Sequence, residues 1–206
     1  MKNYKGTLEF VNGIITERIP AAPAPGTGDE PVLAGTADLG AIVTPNAFGD
    51  SSYTKTYTSP NGWVSKNSAI QTGGTKDMNP TFMVIGSDDT CKAVCLNGKT
   101  TATGSLTSPE LEGGISILKF KWAKMFTDTA IKFTVTITDL STNAQYTKVI
   151  EWAGGKNENQ KVANEVEFKL DTPINGKFII KFENNCPSAQ ASNKDRASIF
   201  DIEWYK

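Results

Sequence analysis

The chain has 206 residues, with 21 Lys and Arg against 22 Asp and Glu, no histidine and a formal net charge of −1. The absence of histidine excludes Ser-His-Asp and Cys-His nucleophile pairs, an imidazole general base and zinc sites built on His ligands. The near-neutral charge disfavours nucleic acid as a partner, because no basic field is present to hold phosphate backbones. Composition therefore favours a neutral, polar ligand or another protein surface.

The sequence shows neither a membrane-spanning helix nor a signal peptide. No apolar run anywhere in the chain approaches the ~18 residues that a membrane helix needs. Residues 1–6 also lack the apolar core of a signal peptide. We therefore expect no transmembrane segment, and the compartment does not follow from these residues alone.

The N-terminal part of the chain predicts an extension rather than a core. Residues 1–19 alternate as a strand segment, with Asn12-Gly13 as a tight turn. Residues 20–34 are rich in proline and glycine, which is typical of a linker. We expect residues 1–19 to be the tail of a preceding β module or a strand that docks elsewhere, residues 20–34 to be a linker, and residues 35–206 to be one domain.

The remainder of the chain alternates with the period of β-strands. Ile131, Phe133, Val135 and Ile137 alternate with polar residues, and the same pattern recurs at 118–122, 166–170, 178–182 and 200–204. Asn-Gly pairs at 97–98 and 175–176 predict hairpin turns between antiparallel neighbours. No segment of about ten residues has a convincing helical period. The sequence predicts an all-β, two-sheet antiparallel β-sandwich of jelly-roll type.

Three longer runs carry a family resemblance, namely residues 92–99 (KAVCLNGK), 104–120 (GSLTSPELEGGISILKF) and 194–204 (KDRASIFDIEW). They resemble the jelly-roll domains of secreted Bacteroidetes surface proteins, which are similar to carbohydrate-binding modules. The resemblance spans about residues 35–206 and its motifs are structural. It implies binding of a polysaccharide or oligosaccharide in polysaccharide utilisation. It also implies a secreted, periplasmic or outer-membrane location, as in a lipoprotein, with neighbouring modules of a longer protein.

Two tryptophans are the main candidates for a sugar platform, because sugar recognition needs flat aromatic faces ringed by polar groups. Trp63 follows a turn at 60–62, and Trp152 ends a strand before the polar stretch 153–160. We expect both at loop rims, and the alternative is that each caps the core. Trp122 and Trp204 share the apolar face of their strands, so we expect both in the core.

Two tyrosines offer a further platform. Tyr53 and Tyr57 lie four residues apart, which places them on one face of a strand, with Lys55 between them. They could stack on successive sugar rings, or form a cross-strand aromatic pair that stabilises the sheet.

Polar side chains near these aromatics supply hydrogen-bonding groups for hydroxyls or carboxylates. Asn67 follows Trp63, and Asn185, Lys194 and Arg196 lie in the polar loop before the last strand. We expect these four residues to contact the ligand. The alternative is a solvated loop in which Asp195 and Arg196 anchor the turn.

A structural calcium ion is the one cofactor that we consider. Asp201 resembles the acidic position that helps to bind calcium in similar jelly rolls. Calcium takes about six to eight oxygens and one carboxylate supplies only one or two, so loop aspartates would have to complete the site. We expect no other cofactor.

The sequence does not decide whether the three cysteines are free thiols or disulfide-bonded. Cys91 and Cys95 are too far apart to pair on one extended strand, at ~13 Å against a limit of ~7 Å. Either could pair with Cys186 across the fold, and the alternative is a buried thiol.

Three functions remain in view. The leading interpretation is a non-catalytic glycan-binding module, so we expect no enzyme activity. The alternative is a structural spacer or a protein-interaction or adhesin domain. A carboxylate-only glycoside hydrolase would have to use a same-face pair such as Glu110 and Glu112, or Glu165 and Glu167.

Overall fold

The structure, a computed structural model, describes residues 8–11, 14–17, 30–39, 56–59, 61–72, 92–99, 102–124, 126–159, 162–185 and 195–206. Its contacts divide the chain into two units, Met1–Val32 and Leu33–Lys206. In the first unit, strands β1 (Leu8–Val11) and β2 (Ile14–Glu17) pair antiparallel with Val11 opposite Ile14. This pairing confirms strands in residues 1–19, and the turn predicted at residues 12–13 lies outside the described residues.

The second unit is built from strands throughout its described ranges, and no helix occurs in them. None of the described residues therefore forms a helix that could span a membrane. The strands are β3 (Leu33–Thr36), β4 (Thr56–Thr58), β5 (Val64–Lys66), β6 (Ser68–Thr72), β7 (Lys92–Leu96), β8 (Gly98–Lys99), β9 (Ala102–Thr103), β10 (Ser105–Thr107), β11 (Ile115–Lys124), β12 (Ala130–Asp139), β13 (Gln145–Ala153), β14 (Asn164–Ile174), β15 (Phe178–Asn184) and β16 (Ala197–Tyr205).

These strands form two antiparallel sheets that pack as a sandwich. Sheet I has the order β13-β12-β15-β10-β5-β4. Sheet II has the order β14-β11-β16-β7-β6, and β3 also pairs with β16. Strands β8 and β9 form a separate short ribbon. The predicted two-sheet β-sandwich is confirmed.

The pairing is that of a jelly roll. Strands β12 and β13 pair in sheet I, β11 and β14 in sheet II, β10 and β15 in sheet I, and β7 and β16 in sheet II. Four nested antiparallel pairs that alternate between the sheets are what results when one long ribbon is wrapped around a core. The topology of this chain therefore confirms the jelly-roll prediction.

Alternation within the strands explains why the core lies between the sheets. Ile131, Phe133, Val135 and Ile137 of β12 are all buried, while the threonines and the lysine between them are half-buried on the outer face. Phe133 packs edge to face against Phe120 of sheet II, with ring centroids 6.2 Å apart. Burial of each such side chain contributes about 1.5–3 kcal/mol, so this one strand supplies a substantial part of the core.

Both predicted Asn-Gly hairpins after residue 90 are wrong. Asn97-Gly98 leads from β7 into β8, which pairs with β9 rather than with β7. Asn175-Gly176 joins β14 of sheet II to β15 of sheet I. The tight reversal lies instead between β12 and β13, where Asn143 has a φ of 59° and Asp139 accepts hydrogen bonds from Ser141 and Thr142. Cys95 is buried in β7, whereas Cys91 and Cys186 lie outside the described residues.

Candidate functional site: a charged groove on sheet II

A groove of about 820 Å³ lies on the outer face of sheet II. Its floor consists of β11, β14 and β16, and the segment that follows β3 forms a wall. Because alternate residues of these strands fill the core, the residues between them project outward into the groove. The charged lining residues are Asp38, Lys119, Lys121, Glu165, Glu167, Asp201 and Glu203. Among the described lining residues, five carboxylates therefore face two lysines.

The first charged row runs straight across the sheet. Lys119 lies opposite Glu167 of β14 on one side and opposite Glu203 of β16 on the other, and Glu203 lies opposite Thr36 of β3. The Lys119 Nζ atom is 3.4 Å from Glu167 Oε2. Directly opposed residues on one face lie close enough for side chains to interact, so the register itself creates this pairing.

The second charged row depends on a bulge in β16. Asp201 has a φ of 47° and lies where the register between β11 and β16 shifts. The extra residue brings the Asp201 carboxylate to 3.0 Å from Lys121 Nζ, while Glu165 Oε1 lies 3.9 Å from the same atom. Aspartate tolerates this left-handed backbone conformation better than most residues do.

The same bulge moves Phe200 to the opposite face from the one predicted. Alternation places Phe200 with Ile202 and Trp204, but Phe200 lies opposite Lys121, on the outer side of the sheet. There it is buried in a small cluster with Ala93 and Ala123, separate from the main core. A single inserted residue reverses the faces of the strand on its two sides.

An apolar row lies beside the groove, next to its first charged row. Tyr205 lies opposite Ile117 of β11 and opposite Leu33 of β3, so the three side chains share a row on the outer face. Leu33 is 51% exposed, and the Tyr205 ring is partly exposed. The sequence analysis assigned no role to Tyr205, although the alternation that buries Trp204 also predicts an outward ring at position 205.

Two charged neighbours hold the Tyr205 ring. Its hydroxyl donates a hydrogen bond to Glu203 Oε2 at 2.6 Å, and Lys119 Nζ lies 5.0 Å from the ring centroid. The hydrogen bond to Glu203 raises the pKa of the Tyr205 hydroxyl above its ordinary value of 10.0, with smaller contributions from burial and from the charge of Glu203. The row of apolar side chains is thereby joined to the first charged row.

Trp63 does not lie at a loop rim, and that prediction is wrong. Only 2% of its surface is exposed, and its side chain belongs to the main core. The turn before it closes on itself, because Trp63 N donates to Ser59 Oγ and Ser59 N donates to the Trp63 carbonyl. Trp63 is therefore a core residue, which was the alternative considered for it. The prediction that Trp122 and Trp204 lie in the core is confirmed, because they are only 5% and 7% exposed.

Trp152 is half-buried and packs against the main core. Lys124 Nζ lies 4.3 Å from the centroid of its indole ring, so an ammonium already lies over the ring. Lys124 is fully buried and donates to the carbonyls of Gly155 and Lys156 at 3.0 Å each. Burial lowers the pKa of Lys124, and the charges of Asp128 and Glu158 partly oppose this shift. Lys124 thus anchors the loop that follows Trp152.

Arg196 is committed to an ion pair inside the protein. Its Nε and Nη2 atoms lie 3.0 Å from Oδ2 and Oδ1 of the buried Asp128, and its backbone N donates to Oδ2 as well. The guanidinium also lies 3.6 Å from the centroid of the Phe126 ring. This geometry corresponds to the alternative in which Arg196 anchors a turn, and the prediction that Arg196 offers its guanidinium to a ligand is wrong.

Among the remaining predicted residues, Asn67 and Asn185 do not line the groove. Asn67 lies between β5 and β6 with a φ of 47°, and its Nδ2 donates to the Thr103 carbonyl at 3.2 Å. Asn185 is exposed at the end of β15. Tyr57 lies in β4, of which only the backbone is described at that position, and Tyr53 and Lys194 lie outside the described residues. Strand β5 and the Trp152 strand β13 are far apart in sheet I, so Asn67 and Trp152 do not form one site.

The carboxylates that sequence analysis considered for metal binding or hydrolysis are ion-paired. Asp201 pairs with Lys121, and within the described ranges no three His, Cys, Asp or Glu residues are grouped so that they could hold a metal ion. The calcium site stays a prediction. Glu110 and Glu112 both lie within 3.4 Å of Lys177 Nζ, and these two partners raise its pKa above 10.5.

The fold and the groove define a jelly-roll β-sandwich with a polar site on one sheet. No protein-family model and no curated protein matches the chain. Among solved structures, the chain is similar to the K2 cleaved adhesin domain of Lys-gingipain at 17% identity and a TM-score of 0.48, covering 82% of this chain and 98% of that one.

Two further neighbours were solved with bound oligosaccharides. The family 11 carbohydrate-binding module from Clostridium thermocellum, in complex with a β-1,3-1,4-mixed-linked tetrasaccharide, is 12% identical with a TM-score of 0.41, covering 84% of this chain and 95% of that one. TmCBM61, in complex with β-1,4-galactotriose, is 13% identical with a TM-score of 0.44, covering 68% and 86%. Likenesses this distant assign no function.

Proposed function

We propose that this chain is a non-catalytic module that binds a polysaccharide or oligosaccharide in the groove of sheet II. The observation that carries the proposal is the pairing of an apolar row with two charged rows on one rigid sheet. A pyranose ring presents an apolar C–H face and a rim of hydroxyls. Tyr205 and Leu33 suit the apolar face, and the lysines and carboxylates of the charged rows suit the hydroxyls as donors and acceptors.

The proposed cellular setting comes from features of the sequence. The resemblance of residues 35–206 to domains of secreted Bacteroidetes proteins, and the Pro/Gly-rich residues 20–34, support a module of a longer protein. We place that protein in the periplasm, at the outer-membrane surface or outside the cell, in polysaccharide utilisation. Protease treatment tests this location: digestion on intact cells indicates the surface, digestion only after the outer membrane is permeabilised indicates the periplasm, and protection until the inner membrane is broken would contradict the proposal.

The binding proposal is tested by glycan-array screening followed by isothermal titration of the strongest ligands. The groove variant combines Lys121→Gln with Asp201→Asn, which removes an exposed ion pair of 3.0 Å from the second charged row. The matched control combines Lys181→Gln with Glu183→Gln, which removes an ion pair of 2.7 Å with similar exposure from the outer face of sheet I.

We expect the groove variant to lose about tenfold or more in affinity and the control to bind as the unmodified protein does. A tenfold loss corresponds to ~1.4 kcal/mol, which is the scale of one hydrogen bond to a charged group. Absence of binding to every glycan, or equal binding by both variants, would reject this site.

A structural or protein-interaction domain is the second candidate, and the state of the tryptophans favours it. Three of the four are buried, and the fourth has Lys124 over its ring, so the described residues present no free indole platform. A chain that binds no glycan but retains a partner protein of the same surface assembly in co-purification would support this candidate instead.

A further inference from the structure

Among the residues that the structure describes, the strands of the groove carry more carboxylates than lysines. Lys119 and Lys121 of β11 face Glu165, Glu167, Asp201 and Glu203, and both lysines already pair with glutamate or aspartate of the neighbouring strands. These four carboxylates project from β14 and β16, the two strands that flank β11, so they cannot move apart as loop residues can. Such a surface attracts a further cation and repels an anion, most strongly at low ionic strength.

The Lys119 ammonium occupies a position that suits a ligand cation. It lies 5.0 Å from the centroid of the Tyr205 ring and 3.4 Å from Glu167 Oε2, and Glu203 lies opposite it on β16. A ring face combined with carboxylates is a favourable environment for any ammonium group. The Lys119 side chain is 44% exposed and has a long flexible stem, so it can leave this position at modest cost.

The apolar row points to a ligand that is more than a simple cation. Leu33 is 51% exposed beside the Tyr205 ring, in direct register with it and next to the first charged row. A ligand that fits both features has an apolar face and, within the same unit, a positive charge. Among sugars, a hexosamine with an unacetylated amino group has both properties.

Building on the proposed function, we infer that the groove prefers glycans whose sugars carry free amino groups. The ligand ammonium takes the place of the Lys119 ammonium above Tyr205, and the sugar ring lies against Tyr205 and Leu33. Toward an amino sugar the Lys119 side chain is then an internal competitor of the ligand, whereas a neutral sugar can use it as a hydrogen-bond donor.

The test is a titration of three oligosaccharides of equal length at mildly acidic pH and low salt: a β-1,4-glucosamine oligomer, its fully N-acetylated counterpart and an oligogalacturonate. We expect the amino oligomer to bind about tenfold more tightly than the acetylated one, and added salt to reduce this difference. The Lys119→Met variant should bind the amino oligomer about threefold more tightly, whereas Glu203→Gln should bind it about threefold more weakly, each being a change at an exposed charge.

The matched control for these variants is Lys181→Met on sheet I, which removes a lysine of similar exposure outside the groove. Urea unfolding of each variant separates lost affinity from lost folding.

Equal or tighter binding of the acetylated or acidic oligomer would overturn the inference and leave the proposed function standing. Weaker binding of the amino oligomer by Lys119→Met would overturn the displacement of Lys119. Binding of spermine with the same affinity and the same dependence on Glu203 would overturn the glycan specificity, and failure of every oligosaccharide to bind would reject the proposed function itself.

Discussion

Arg196 and Asp128 form an ion pair whose removal should destabilise the fold without touching the groove. The Asp128 side chain is 4% exposed and that of Arg196 is 17% exposed. Asp128 accepts three hydrogen bonds from Arg196, each 3.0 Å long. An Asp128→Asn substitution preserves shape but removes the charge and leaves one acceptor oxygen where two were used. Breaking a buried pair on one side costs about 3–5 kcal/mol, and the partial exposure of Arg196 places our expectation near ~3 kcal/mol.

The assay is urea unfolding of the unmodified chain, Asp128→Asn, Arg196→Met and the double variant. A double-mutant cycle then isolates the coupling between the two side chains, which we expect to exceed ~1.5 kcal/mol. A loss below ~1 kcal/mol for Asp128→Asn at an unchanged denaturant slope would refute the structural role. Arg196→Met that folds normally but loses glycan affinity would return Arg196 to the binding residues.

Three further predictions concern other parts of the fold. Lys124→Met should cost about 2 kcal/mol in urea unfolding at neutral pH, because two carbonyls lose their donor. Burial lowers the pKa of Lys124, so between that lowered value and 10.5 the Lys124 amine is protonated in the unfolded chain but not in the folded one. The free energy of unfolding of the unmodified chain, relative to that of Lys124→Met, should therefore rise with pH across this window. A difference that does not change with pH would contradict the lowered pKa. Gly104→Ala should cost about 1–3 kcal/mol by calorimetry, because the added Cβ would collide with the backbone of Leu96 and Asn97. Hydrogen bonds from Ser141 and Thr142 lower the pKa of Asp139 below 3.8. The contribution of the Asp139 carboxylate to stability should therefore vanish as pH falls through the lowered value. The Asp139→Asn variant should lose stability less steeply at acidic pH than the unmodified chain, and equal acid dependence of the two proteins would refute this.

Local alternation was sufficient to predict the strands and the sandwich. The run from Ile131 to Ile137 lies in β12 with the predicted buried face, and residues 178–182 lie in β15. Alternation reports which face of a strand meets the core, and this information is local. It does not report which strand lies beside which, and for this reason both later Asn-Gly hairpin predictions were wrong.

The candidate site could be predicted only in part, because it depends on register across three strands. The sequence identified Asp201 but not its bulge, so it placed Phe200 on the core face. The polar neighbours of Trp63 predict a loop rim, yet its backbone is bonded to Ser59 and its side chain lies in the core. The groove pairs residues about 80 positions apart, such as Lys119 and Glu203, and no local pattern contains that information.

The most direct test of the groove as a glycan site is isothermal titration of the strongest array ligand into the unmodified chain, the Lys121→Gln/Asp201→Asn variant and the Lys181→Gln/Glu183→Gln control. A site on sheet II predicts a loss of affinity of about tenfold for the first variant and none for the control. Equal affinities for all three proteins, with each shown to be folded, would contradict a binding site in this groove.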